Sequence, residues 1–250
     1  MMNFGHFSFS APKAKSLDLV ALNENDGQNL ADGWSPEEKD FFMEFFGGIP
    51  GEKILDLGCG NGVFSQWLAE SGCSVVGLDF SRKAILRASS FQKLSVLGVV
   101  ENLPFSDASF DRVIFIEVLE HIPQENEEAV IREIFRVLKP NGILVLHTSA
   151  NIVAEWFCLL LNPLLALLRA LKWTNRPWFK IDHAPCHVNK PSPFSINRIF
   201  RKVGFDGKVR PYTRFCTFPN RLVDRLPWLE NSLLAFWFGL RFRGCLRKPQ

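Results

Sequence analysis

Between Lys53 and Thr148 short apolar runs alternate with segments of helical periodicity. The pattern predicts strands at 53–57, 74–79, 94–99, 111–116 and 142–148, with helices at 62–70, 81–89 and 125–138. Strands that are apolar on both faces and separated by helices can bury themselves only in a parallel sheet covered on both sides. A 250-residue chain with 47% hydrophobic residues supplies enough core for such a sheet and excludes disorder as the main state.

Upstream, residues 1–33 read as a loose polar arm. A helix is expected to begin at WSPEEKDFFMEFF, with Ser35 as N-cap, Pro36 at the first helical position, Glu38 closing a capping box and Gly47-Gly48 ending it. The expected organisation is an arm (1–33), a core domain (34–150), an apolar and basic insertion or lid (151–193), and a C-terminal part (194–250) that completes the sheet and ends in a basic tail. Six cysteines without CxxC spacing suggest neither a zinc site nor a disulfide framework. No export signal is read in MMNFGHFSFSAPKAK, and the expected location is the cytoplasm.

The net charge of +3 conceals two unlike halves. Residues 1–150 hold 12 Lys+Arg against 21 Asp+Glu, and residues 151–250 hold 17 against 5. Such asymmetry directs the C-terminal part toward an anionic partner, or provides a basic lobe that offsets an acidic domain. IVAEWFCLLLNPLLALLRALKW approaches the length of a membrane span but is interrupted by Glu155, Asn162, Pro163 and Arg169. It reads as a lid helix or as an element lying on a membrane.

The first predicted strand runs into ILDLGCGNG, where Gly58, Gly60 and Gly62 alternate. At the carboxyl edge of a doubly wound sheet this loop suits a dinucleotide, a phosphate or a nucleoside, or is a tight turn. The spacing is GxGxG and not the GxGxxG of dinucleotide sites. Asp79 closes the second strand, where a carboxylate can accept ribose hydroxyls.

With Asp56 ahead of it, DLGCGNG resembles motif I of the class I S-adenosylmethionine-dependent methyltransferases. GLDFS at 77–81, ENLPFSDASFDRVIFIEVLEHI at 101–122 and VLKPNGILVLHTS at 137–149 resemble the following segments of that family. The resemblance covers roughly residues 50 to 150. It implies a Rossmann-like α/β fold, with a doubly wound, mostly parallel seven-stranded sheet that ends in an antiparallel hairpin drawn from the region after Gly204. It also implies S-adenosyl-L-methionine as cofactor, held by Asp56, Gly58, Cys59, Gly60, Gly62, Asp79, Phe80, Val100, Glu101 and Ile116. Gly58 and Gly60 would back the methionine portion through their main chain, Asp79 would hold the ribose and Phe80 would lie against adenine. Val99 stands where many relatives carry an Asp on the adenine amine.

EVLEH places Glu117, Glu120 and His121 at i, i+3 and i+4, so a helical turn would put them on one face. Similar ExxEH segments occur in ubiquinone-pathway O-methyltransferases and small-RNA 2′-O-methyltransferases, some of which hold a divalent cation there. His121 is accordingly a candidate base or orienting group, with Glu117 and His147 as further catalytic candidates. Glu117, Glu120 and His121, completed by His187 or His183, are candidate ligands should a cation bind.

The expected activity is methyl transfer to a small or lipid-linked acceptor, with no obligate protein partner. An anionic membrane surface, at the inner face of the membrane, is a candidate contact through Trp156, Trp173, Trp178, Arg169 and Lys172. Nucleic acid is the lesser alternative, through Arg198, Arg201, Lys202, Lys208, Arg210 and Arg214. A non-catalytic cofactor-binding module and a nicotinamide-dependent oxidoreductase are the other classes considered.

Overall fold

The computed structural model describes residues 43, 49–89, 94–148, 156, 159–160, 162–171, 187–212 and 241–250. The N-terminal arm, most of the helix expected after Ser35, and Trp173, Trp178, Lys172, His183 and Arg214 lie outside these residues, as does the side chain of Arg169.

Five parallel strands come from the alternating region: β1 (Lys53–Leu57), β2 (Ser74–Asp79), β3 (Ser95–Leu97), β4 (Phe110–Ile116) and β5 (Leu138–Thr148). Helices α1 (Val63–Glu70), α2 (Arg82–Ala88) and α3 (Glu127–Val137) connect them. Two C-terminal strands, β6 (Arg210–Tyr212) and β7 (Arg241–Arg247), complete a sheet of order β3-β2-β1-β4-β5-β7-β6. β7 is antiparallel to both β5 and β6. The strand order reverses between β1 and β4, which opens a crevice at their carboxyl ends.

Alternate residues of the central strands enter two apolar layers, as the period of two requires. Leu55, Leu57, Val113 and Phe115 face a layer shared with Val130, Ile131 and Ile134 of α3, and with Ile196 and Phe200 of α5 (Pro193–Val203). Ile54, Val75, Ile114 and Val145 face the opposite layer, against Phe64 and Leu68 of α1. These strands are buried on both faces because helices cover both.

Local chemistry sets the helix ends. Ser81 Oγ accepts the Ala84 N–H at the start of α2. Ser192 and Ser195 form a capping box at α5, with Pro193 in its first turn and Gly204 left-handed at its end. Helix α3 begins at Glu127 after a 3-10 turn over Gln124–Asn126, two residues later than the periodicity indicated.

KPNG is not a simple turn between helix and strand. β5 starts at Leu138, opposite Phe110, and bulges before Ile143 resumes pairing with Arg112. A Cβ on Gly142 would sit 2.8 Å from Lys139 O, so only glycine fits the bulge.

The basic tail expected at the C-terminus is instead β7, RFRGCLR, paired between β5 and β6. Leu246 and Gly244 are buried, while Cys245 and Arg247 are exposed. One face of this strand is solvated, which is why a strand paired on both edges can carry arginines. Beyond it, Lys248 Nζ donates to the Phe135 and Leu138 carbonyl oxygens at 2.8 Å each and caps the end of α3.

Candidate active site

The glycine loop leaves β1 at the switch point. Gly58 adopts a φ of 74°, and a Cβ there would be driven into Val118 Cγ2. The Gly58 and Cys59 N–H groups both donate to Leu78 O, at 2.7 and 3.1 Å. The Gly60 N–H donates to Asp79 Oδ2 at 2.9 Å, and the Gly62 N–H donates to Cys59 O at 2.9 Å. These donors therefore tie the loop back onto β2 and onto itself, and what the loop leaves open is the Cβ side of Gly60, with nothing within 4 Å. Gly62, at φ 78°, starts α1 as its N-cap.

Asp79 is the hub of this corner. Its Oδ1 accepts the Ser81 N–H at 2.8 Å while Oδ2 holds Gly60, and the Phe80 N–H also bonds the carboxylate, which has room for one more donor. Burial pushes its carboxyl above the usual range, against the lowering effect of the backbone N–H groups. Asp56 lies beneath the loop, with Ser65 Oγ donating to Oδ2 at 2.5 Å. Burial, and secondarily the charge of Asp79, raise Asp56 to about 6.

The other cofactor candidates lie along the same sheet edge. Phe80 follows β2, Val100 and Glu101 follow β3, and Ile116 ends β4, all partly buried. Val99 is also partly buried, past the end of β3. Two residues of α3 fix the NLPF segment. Glu133 accepts the Leu103 N–H at 2.8 Å, and Arg136 donates to Phe105 O and Leu103 O at 2.7 and 3.1 Å. Sequence reasoning missed this clamp, whose only trace is an ExxR pair on a helix.

On the acceptor side the expected single helical turn does not form. Glu117 sits past the end of β4 at φ 53°, and only Leu119–His121 make a 3-10 turn. The two glutamates meet by a different route. Glu117 Oε1 lies 2.6 Å from His147 Nδ1, and the Glu117 N–H donates to His147 O at 2.9 Å. Glu120 is fully buried and accepts from Thr148 Oγ1 at 2.9 Å. Burial raises the Glu120 carboxyl strongly, and the charge of Glu117 and a hydrogen bond with it add to the rise. His147 is 1% exposed, and its ring lies against the Glu117 carboxylate.

His121 is partly exposed and packs edge-on against His187, with ring centroids 5.1 Å apart. Glu120, His121 and His187 offer ligand atoms within 4.8 Å of one another. Asn189, also unanticipated, holds the His187 segment in place. Its N–H donates to Glu120 O at 3.0 Å and its Nδ2 to Glu127 Oε1 at 2.5 Å. Of the basic residues considered for nucleic acid, Lys202 is ion-paired with Glu128 at 2.6 Å.

A parallel sheet reversing beside a GxGxG loop, with an acidic residue at the end of the second strand, is the arrangement of class I S-adenosylmethionine-dependent methyltransferases. The family described as "Methyltransferase domain" matches residues 55–146, and this part of the chain is a methyltransferase domain of that class. An uncharacterized methyltransferase of Synechocystis is 40% identical over 138 residues, 53% of this chain and 62% of that protein. The ubiquinone biosynthesis O-methyltransferase of Idiomarina loihiensis is 30% identical over 132 residues, 49% of this chain and 52% of that protein. The chain thus spans between half and two thirds of the length of these curated relatives. Among solved structures, an S-adenosylmethionine-dependent methyltransferase of Mesorhizobium loti superposes with a TM-score of 0.58 at 20% identity, over 86% of this chain and 99% of that one.

Proposed function

We propose that the protein transfers a methyl group from S-adenosylmethionine to a nucleophilic atom of a small or lipid-linked acceptor. The observation that carries this reading is the Asp79 carboxylate, fixed by the Gly60 and Ser81 N–H groups beside the open side of Gly60. A flat nucleoside fits where no Cβ intrudes, and the carboxylate has room for a ribose hydroxyl. When bound, S-adenosylmethionine supplies an electrophilic methyl group on a sulfonium sulfur.

In this reading Asp79 binds ribose, Phe80 and Val100 flank adenine, and Asp56 with the Gly58–Gly62 loop supports the methionine end. His121, the exposed member of its cluster, orients the acceptor or takes its proton, while Glu117 is held by His147. Much of the rate gain expected from such a site is positioning of the two reactants. Calorimetric titration with S-adenosylmethionine and with NAD tests the reading, together with labelled methyl transfer into separated lipid, RNA and small-molecule pools. Binding of NAD but not S-adenosylmethionine would reject it.

The cluster of Glu120, His121 and His187 supports a second reading, in which a divalent cation sits on the acceptor side. One carboxylate oxygen and two imidazole nitrogens form a donor set for a borderline ion such as zinc or iron(II). Titration of the chain with each ion, in parallel with His187→Ala, tests this. Equal heats for the two proteins would leave these residues as a hydrogen-bonded support for the acceptor face.

A further inference from the structure

Helix α4 (Asn162–Ala170) and the helical residues before it carry a row of large apolar side chains in water. Trp156, Leu160, Leu164, Leu167 and Leu171 are 62%, 74%, 51%, 56% and 50% exposed. Their spacings of four, four, three and four residues are those of one helical face. Pro163 and Ala170, exposed within the row, are apolar as well. A soluble surface seldom leaves such a row uncovered.

Charge indicates what covers it. Between Glu155 and Asp182 the sequence has no acidic residue, but it has Arg169, Lys172, Arg176 and Lys180, and Trp173 and Trp178 stand among them. A second copy of the chain would bring two such basic segments together, whereas an anionic lipid surface attracts the segment and takes the leucines below its headgroups. No helix among the described residues is long and apolar enough to cross a membrane, so the element would lie on the surface. We propose that the Trp156–Leu171 row is the docking surface of this protein for an anionic bilayer. The row binds by insertion of its apolar face, and each cation near the surface multiplies the partition about fivefold.

The test is co-sedimentation of the full chain with vesicles of phosphatidylcholine alone and of phosphatidylcholine containing about one third phosphatidylglycerol. The expected result is binding to the anionic vesicles, weakened by salt, and a loss of about tenfold or more in L160E/L167E. The paired variant L164Q/L171Q, milder and also at exposed positions, is expected to lose binding in the same direction. Calorimetric binding of S-adenosylmethionine reports folding and tests the methyltransferase reading separately, because vesicle binding does not depend on it. Wild-type protein that stays in the supernatant with both vesicles would overturn the proposal. So would variants that bind as well as wild type, or a dimer that L160E/L167E dissociates while lipid binding is absent.

Discussion

His147 Nδ1 lies 2.6 Å from Glu117 Oε1, and the same histidine accepts the Glu117 N–H through its carbonyl oxygen. β5 thereby grips a glutamate whose left-handed backbone no longer belongs to β4. His147→Ala is expected to cost about 2–4 kcal/mol in urea titration, because it leaves a cavity and a buried carboxylate without this partner. His121→Ala, at a partly exposed position, is expected to leave stability and cofactor affinity unchanged while methyl transfer falls about 100-fold. Equal loss of stability in the two variants would remove the distinction between support and site.

Asp79 holds Gly60 and Ser81 and has room for one more donor, from a ligand. Asp79→Ala is expected to weaken S-adenosylmethionine binding up to about 100-fold, corresponding to one charged hydrogen bond of about 1.5–3 kcal/mol. Calorimetry reads this directly, and unchanged affinity would reject the ribose assignment.

Gly58→Ala forces a Cβ into Val118 and asks an alanine to take a left-handed φ. The expected cost is about 2–4 kcal/mol, of which roughly 1 kcal/mol is backbone strain. Val118→Ala in the same chain should restore the contact part and leave the strain. A double-mutant cycle is expected to give a coupling of about 1–2 kcal/mol.

Asp56 predicts a pH dependence of stability. Folding raises its carboxyl from 3.8 to about 6, so the folded state binds this proton more tightly than the unfolded chain does. Its stabilising contribution is complete below the unfolded value and is lost as pH rises through about 6. Asp56→Asn should therefore gain on the wild type by about 2–3 kcal/mol between pH 4 and pH 7. Parallel urea curves that keep a constant separation over that range would show that the group is not perturbed.

Asn189 joins the His187 segment to the buried Glu127, whose carboxyl is raised by burial. Asn189→Ala is expected to cost about 1–3 kcal/mol. Asn189→Asp should cost more at neutral pH, since it sets a second carboxylate against the first. Thermal melting of the two variants gives the order.

The alternation between Lys53 and Thr148 was legible because a strand buried on both faces must be apolar throughout, and local periodicity reports it. The glycine loop, Asp56 and Asp79 were legible for a related reason. Positive φ, a tight approach and a carboxylate at a strand end each demand particular residue types within a few positions. The antiparallel pair after Gly204 was expected from the family resemblance, but the place of β7 was not legible: with one solvated face it reads as a run of arginines, and only its pairing with β5 and β6 makes it a strand. The EVLEH residues do come near one another, but not on the single helical turn expected, because the turn there answers to His147 from β5 and to Asn189 from a distant segment.

The sequence by itself determined the parallel core, the class of the domain and the loop at its switch point, since those show locally, as apolar periodicity and as particular residue types at fixed spacing. Only the tertiary structure decided that His147 supports Glu117, that Arg136 and Glu133 clamp the NLPF segment, and that α4 presents its apolar row outward. Those relationships join residues far apart in the chain, or depend on which face of a helix remains uncovered, and hydrophobic periodicity carries neither.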